Sequence, residues 1–153
     1  MTPAILFLEK QKATFTQHQY ECTALDDFGA HAAEQLQVPL EQVFKTLLTE
    51  GEQGAVVALV PSSGKVNLKR LAKAAGVKKL DMMPPAKAER LTGYKVGGIS
   101  PFAQKKRLPT VLDASANNYP RVLVSGGKRG LSVGVAAEVV QQLLGAVIAD
   151  IAE

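Results

Sequence analysis

The 153-residue sequence has one cysteine, Cys22, two histidines, His18 and His31, and no tryptophan. A lone cysteine excludes an intramolecular disulfide and suits a reducing compartment. Two histidines exclude a multi-histidine metal centre, and no carboxylates stand at a spacing that would complete a zinc site. No metal and no cofactor are therefore expected. His18 lies four residues before Cys22, which on a strand puts the two on one face and nothing more. Cys22 is accordingly read as a packing or inert loop position, not as a nucleophile. Aromatic residues make up only 5%, so Leu, Val, Ile and Ala must build the core. No run reaches the roughly 18 continuous apolar residues of a bilayer span. Met1 to Lys10 shows no basic start followed by an apolar run and a cleavage site. The expectation is a cytoplasmic chain without membrane association.

What is present fits an ordinary folded domain, with 46% hydrophobic and 21% charged residues. The length suits one domain spanning residues 1–153. The net charge of +4 permits an anionic partner without demanding one. Its distribution says more. Lys65, Lys69, Arg70, Lys73, Lys78 and Lys79 share one stretch, and Lys105-Lys106-Arg107 and Lys128-Arg129 form two further clusters. Acidic residues gather elsewhere, at Asp26-Asp27, Glu50 to Glu52 and the tail. Basic runs are most often solvated faces, but these clusters stand beside glycine-rich turns.

Thr2 followed by Pro3 predicts a capped helix over residues 3–12. Alternation predicts a strand over 13–21, and a short helix is expected over 31–38, halted by Pro39. Val43 to Thr49 and Ala55 to Val60, joined by Gly51-Glu52-Gln53-Gly54, predict a central hairpin. Asn67 and Gly76 bracket a helix over 68–75 with a basic outer face. A short strand at 81–83, a helix from Pro84-Pro85 to Gly93, strands at 110–113 and 121–125, a further strand, a helix over 136–144 and a strand over 146–151 complete the chain. Strands and helices mix without regular βαβ alternation. The fold class expected is α/β, a single domain with a mixed, largely antiparallel sheet or barrel flanked by helices.

Two segments bring glycine and positive charge together. Gly93-Tyr94-Lys95-Val96-Gly97-Gly98-Ile99-Ser100-Pro101 has paired glycines that let a backbone approach a ligand and aim several N–H groups one way. Such a turn can hold a phosphate or a developing oxyanion. Ser125-Gly126-Gly127-Lys128-Arg129-Gly130 adds a hydroxyl and two cations, but it lacks the GxxxxGK[ST] spacing of a P-loop, so nucleotide hydrolysis has no support. Taken alone, either segment is a weak signal, since Gly-Gly pairs mostly serve as hairpin turns. Lys45 interrupts the apolar run Val43-Phe44-Lys45-Thr46-Leu47-Leu48 and shares a strand face with Val43 and Leu47. Two readings stay open: an inward amine that needs an anionic partner, or an edge amine that snorkels to water.

Taken in order, several segments covering nearly the whole chain resemble the YbaK/EbsC family of aminoacyl-tRNA deacylases. They are Met1-Thr2-Pro3-Ala4, Phe44-Lys45-Thr46-Leu47-Leu48, Thr92-Gly93-Tyr94, Val96 to Pro101, Gln104-Lys105-Lys106-Arg107 and Ser125 to Gly130. That family is related to the editing insertion domain of bacterial prolyl-tRNA synthetases. The chain departs from its pattern over Glu21 to Asp27, a residue short, and at Phe102-Ala103, where the family more often has Leu-Gly.

The resemblance implies a mechanism and a set of residues. Lys45 matches the family's essential lysine, which anchors the 3′-terminal nucleotide and positions the ester. Gly98 is the second catalytic position, in a loop whose backbone binds the aminoacyl end together with Gly97, Ile99, Ser100 and Pro101. By the same carry-over Tyr20, Phe28 and Thr46 line the pocket and Ser125, Gly126 and Gly127 meet the substrate. Lys128 and Arg129 meet the acceptor stem, with Lys105 and Lys106 beside them. The implied reaction is hydrolysis of mischarged Cys-tRNA(Pro), with the substrate's own thiol attacking the ester. The implied partners are the aminoacylated 3′ end of tRNA and prolyl-tRNA synthetase. The absence of a Ser/His/Asp set is compatible with a substrate-assisted reaction. The competing readings are an Ala-tRNA(Pro) deacylase of the same fold, a non-catalytic module that binds tRNA ends, and a regulatory protein-binding domain.

Overall fold

The computed structural model describes residues 1–153. Its elements run α1 (Pro3–Lys10), β1 (Thr16–Gln19), α2 (Phe28–Leu36), β2 (Phe44–Gly51), β3 (Gly54–Pro61), α3 (Leu68–Ala75), β4 (Asp81–Met82), α4 (Pro85–Thr92), β5 (Thr110–Asp113), β6 (Val122–Lys128), β7 (Leu131–Val135), α5 (Ala137–Leu144) and β8 (Val147–Ala149). No helix is long and apolar enough to cross a membrane.

Helix boundaries follow their capping chemistry. The Thr2 hydroxyl accepts the Ile5 N–H and also donates to the Gly126 carbonyl, so one side chain caps α1 and ties it to β6. The Asn67 side chain accepts the Arg70 N–H, and Gly76 ends α3 at φ +74°. Helix α2 begins three residues before the expected start. Its N-cap, Asp27, sits at φ +47° and makes no side-chain cap bond, so the usual sequence signal is missing.

The strands form two sheets. A five-stranded sheet has the order β4-β2-β3-β5-β8, and a three-stranded sheet the order β1-β7-β6. The β2–β3 hairpin and the β2–β4 pair are antiparallel, whereas β3–β5 and β5–β8 are parallel. The smaller sheet is antiparallel throughout. A parallel bridge between Val43 and Leu123 stitches the start of β2 to β6.

The largest core cluster fills the space between the sheets. It joins Phe44, Leu59 and Leu112 to Val122, Val124, Leu131 and Val133, with Ile5 and Leu8 of α1 and Val140 of α5. On the opposite face of the larger sheet, Val56, Ala58 and Val60 pack against Leu71 and Ala72 of α3. Helix α4 covers Leu48 and Val57 through Ala88, and α2 covers Val43 and Leu123 through Ala32 and Ala33. Burying a Leu or Val side chain stabilises the fold by about 1.5–3 kcal/mol, so each helix is anchored mainly by its few core residues.

One consequence of this topology decides where a site can form. Strand β2 has β3 along one side for its whole length, but β4 accompanies it only at Thr49 and Glu50. Val43 O accepts from Ser62 N across the hairpin, at 2.7 Å. Alternation in an antiparallel ladder then turns the backbone groups of Phe44, Thr46 and Leu48 toward the other edge. Leu48 O takes the Met83 N–H at 3.1 Å. Between that bond and the Val43 bridge, no strand runs beside Thr46.

Candidate active site

The unaccompanied edge of β2 opens into a cavity of about 390 Å³, within the ~300–1,000 Å³ of small-ligand sites. Its floor is Val43 together with β2 from Phe44 to Leu48. One wall is Val124, Ser125, Leu131 and Ser132 of the smaller sheet, and another is Met82, Met83, Pro85 and Ala88. The mouth is framed by Asp27, Phe28 and Gly29 at the start of α2 and by Val96, Gly97 and Ile99.

Lys45 is half-buried in this cavity, on the strand face it shares with buried Val43. It takes part in neither of the two ion pairs of the molecule, Arg70–Asp150 and Lys87–Glu50. Burial pushes its amine below the ordinary lysine value, Asp27 acts against that shift and Lys65 adds to it. At Lys45 strand β2 is a sheet edge, and that edge faces a cavity instead of bulk water. The hydroxyls of Thr46 and Ser62, both lining residues, are buried without a hydrogen-bond partner. Such groups are costly unless a ligand or water meets them.

Tyr20 closes one side. Burial chiefly raises its hydroxyl's pKa, Cys22 adds to the rise, and hydrogen bonds from Gly130 and Ser132 oppose it, so it stays neutral. Cys22, His18 and His31 do not line the cavity. His18 instead bonds Thr16 Oγ1 at 2.8 Å, and the His31 ring meets the backbone of Glu21 and Thr23.

The two glycine segments lie against each other at the mouth. Gly98 N donates to Lys95 O at 2.8 Å, closing a turn, and Val96 N donates to Glu89 Oε2 at 2.8 Å. A β-carbon on Gly98 would stand 2.7 Å from Lys128 Cα, so the loop and the β6–β7 hairpin touch backbone to backbone. In the hairpin, Ser125 pairs with Ser132 but Lys128 with Leu131, which makes Gly126-Gly127 a bulge of two extra residues. Arg129 spans the gap: its Nε donates to Val96 O at 3.0 Å and its guanidinium carbon lies 4.5 Å from the centre of the Phe28 ring.

A family model described as an aminoacyl-tRNA editing domain matches residues 26–143. The chain belongs to that family. It is 36% identical over 151 residues to "Putative Cys-tRNA(Pro)/Cys-tRNA(Cys) deacylase EbsC" of Enterococcus faecalis, covering 98% of this chain and 92% of that protein. It is 21% identical over 127 residues to the proline–tRNA ligase of Listeria welshimeri, covering 82% of this chain but 22% of the ligase. A solved structure described as a "putative trans-editing enzyme for prolyl tRNA synthetase" has a TM-score of 0.86 at 25% identity, covering 99% of this chain and 95% of that one. The hypothetical protein APE2540 has a TM-score of 0.88 at 23% identity, covering 99% of each chain, and shares the fold. As an editing domain the chain is an aminoacyl-tRNA deacylase, with the α/β architecture expected.

Set in the editing domain, the residues singled out from sequence divide into groups. Lys45, Thr46, Tyr20, Phe28, Gly97, Ile99 and Ser125 line the one cavity. Gly98, Gly127, Lys128 and Arg129 line an adjoining outer cleft with Lys95. Gly126 is buried between them against Leu131. Ser100 and Pro101 are not brought to the cavity. Ser100 is fully buried, its hydroxyl accepting the Phe102 N–H at 3.2 Å, and Pro101 borders a separate cleft beside Phe7 and Lys106. Lys105 lies with Gly93, Tyr94 and Lys95 in a further shallow cleft. Sequence reasoning missed Asp27 as a lining residue, and also Ser62, Ser132 and Glu89. Asp27 was visible only as part of an acidic pair, and nothing local marks Glu89 as the brace of a loop seven residues on.

Proposed function

We propose that this chain hydrolyses mischarged Cys-tRNA(Pro), releasing cysteine and free tRNA, and that residues 1–153 act as one editing domain in doing so. The observation that carries the reading is the half-buried Lys45 amine, outside any ion pair, set beside a free strand edge in a cavity sized for a small ligand. Lys45 holds the 3′-terminal nucleotide there, and the Val96–Gly98 turn bounds the space for the aminoacyl ester. Lys128, with Lys95 and Lys105, supplies positive charge outside the mouth for acceptor-stem phosphates.

Chemical economy favours help from the substrate. The lining contains hydroxyls and one carboxylate, Asp27, but no histidine or cysteine, and the buried Ser62 hydroxyl has no hydrogen-bond partner, so Lys45 is not paired with it as a base. The substrate thiol attacks its own ester carbonyl, so a C–S bond forms and the bond to the ribose oxygen breaks. The thiol proton ends on the ribose hydroxyl, and water opens the four-membered thiolactone to cysteine. That ring is strained, so much of the barrier reduction comes from holding the acyl group in its reactive geometry.

Such an activity answers a physical limit, because a pocket built for proline rejects smaller side chains only weakly. With recognition confined to the tRNA end and phosphates, choice of the tRNA body falls to a partner, prolyl-tRNA synthetase. The test is release of labelled amino acid from Cys-tRNA(Pro) and Ala-tRNA(Pro) by wild type and Lys45→Ala. Lysine-dependent release of cysteine well above alanine is the expected result. Preferential release of alanine removes the thiol mechanism, and release of neither removes the enzyme.

A further inference from the structure

Resting on that reading of the site, we infer that Arg129 is a positioning residue: it clasps the cavity mouth shut around the Val96–Gly98 turn, and its role is not chiefly to hold a phosphate. Sequence alone presents Arg129 as half of a basic pair. The geometry separates it from Lys128. Lys128 projects from the end of β6 with no side-chain partner, whereas Arg129 is engaged twice.

Three segments far apart in sequence form the mouth: the start of α2, the turn after α4 and the β6–β7 hairpin. Arg129 touches all three. It grows from the hairpin, stacks on Phe28 at 4.5 Å and bonds Val96 O at 3.0 Å. Gly97 shows how closely the clasp fits. At φ +88° a β-carbon there would stand 2.9 Å from both Arg129 Nε and the edge of the Phe28 ring, so the turn is threaded under the guanidinium. On its other side Val96 N is held by Glu89. The turn is thus fixed at the amide by a carboxylate and at the carbonyl by a guanidinium. A planar, five-donor group that stacks and donates at once is needed for this, and a lysine ammonium does not replace it.

Arg129→Lys distinguishes the clasp from a phosphate contact, because it keeps the charge and removes the fork and the stack. With Cys-tRNA(Pro) and saturating enzyme, Arg129→Lys and Phe28→Leu should each lower the single-turnover rate by about 10- to 100-fold, the scale of a small misplacement of reacting groups. Binding of deacylated tRNA(Pro) and its salt dependence should stay within about twofold of wild type, since the phosphate term follows charge. Lys128→Ala should weaken binding of deacylated tRNA(Pro) and flatten its salt slope. Amide exchange at Val96 to Gly98 should quicken in Arg129→Lys and not in Lys128→Ala, a readout that needs no activity and also shows that the rest of the fold is intact. A wild-type rate with unchanged exchange in Arg129→Lys overturns the clasp. An inactive wild type with exchange quickened as expected overturns the deacylase reading and leaves the clasp standing.

Discussion

Gly97→Ala is the most informative single substitution outside the charged residues. Two costs add at this position. At φ +88° a residue with a β-carbon enters the left-handed region, at about 1–2 kcal/mol. The new methyl would also stand 2.9 Å from Arg129 Nε and from two carbons of the Phe28 ring. Overpacking of that kind costs about 1–3 kcal/mol where neighbours cannot yield. Gly76 provides the control, with φ +74° and no atom within 4 Å of where a β-carbon would stand. Gly76→Ala therefore carries the backbone cost alone. Urea unfolding of both variants should show Gly97→Ala less stable than Gly76→Ala by about 1–3 kcal/mol, with equal m-values. Deacylation should fall in Gly97→Ala and stay at the wild-type level in Gly76→Ala, which lies at the end of α3 away from the cavity. Equal stability losses in the two variants would refute the argument, since they would mean that Arg129 and Phe28 move aside freely.

Ala103 is the opposite case, a non-glycine residue at φ +56° beside fully buried Phe102. Ala103→Gly should raise stability by about 0.5–1 kcal/mol, the relieved strain exceeding the entropy gained by the unfolded chain, and a thermal melt checks it. Asp113 is buried and accepts from Ser115 N and Oγ, Ile151 N and Ala152 N, tying the end of β5 to the last residues. Desolvation by burial raises its pKa but these hydrogen bonds outweigh it, leaving the value below the usual one. Because the folded pKa is depressed, its stabilisation is complete above the unfolded value of about 4 and is lost as pH falls through the folded one. Asp113→Asn should cost about 2–3 kcal/mol at pH 7 and flatten that acidic loss in urea titrations. Burial likewise depresses the Lys45 pKa, so Lys45-dependent binding of a tRNA end should fade at a pH below an ordinary lysine's. Lys45→Arg should hold binding to higher pH, and an unshifted alkaline limb would remove the charge of Lys45 from recognition.

Local chemistry made most of the elements legible. Thr2-Pro3, Asn67 with Gly76, and Gly145 state helix ends directly, and the Gly51 to Gly54 turn states the hairpin. The start of α2 was not legible, because Asp27 reaches a left-handed conformation that tertiary contacts must hold and its side chain caps nothing. Two sheets instead of one were equally hidden. The parallel pairs β3–β5 and β5–β8 bring together strands separated by long connections, and no local pattern records which strands meet. The same limit explains the site. Lys45 could be recognised as an unusual cation in a strand, but its meaning depends on the β4 pairing ending at Thr49 and leaving Thr46 unaccompanied. Arg129 was visible as charge, and only the approach of Phe28 and Val96 turns that charge into a clasp.

Replacing the acyl group, with the protein unchanged, separates the two chemistries open to this cavity. Cysteine and serine differ by sulfur for oxygen, and a cavity of about 390 Å³ has no steric means of admitting one and refusing the other. If the lining hydrolysed the ester, through Asp27 and a water for example, Ser-tRNA(Pro) and Cys-tRNA(Pro) would be cleaved at similar rates. If the substrate thiol is the nucleophile, the cysteine ester reacts through its thiolate. With a thiol pKa of about 8.5, roughly a tenth is thiolate at pH 7.5 and about a hundredth at pH 6.5. The enzyme-dependent rate for Cys-tRNA(Pro) should then rise close to tenfold per pH unit up to about 8.5, while the serine ester, whose hydroxyl does not ionise in this range, stays slow and shows no such rise. Asp27→Asn should leave the slope for cysteine unchanged. Parallel pH profiles for the two esters would mean that the cavity lining, directly or through a water it activates, drives the hydrolysis and that the substrate thiol is not the nucleophile.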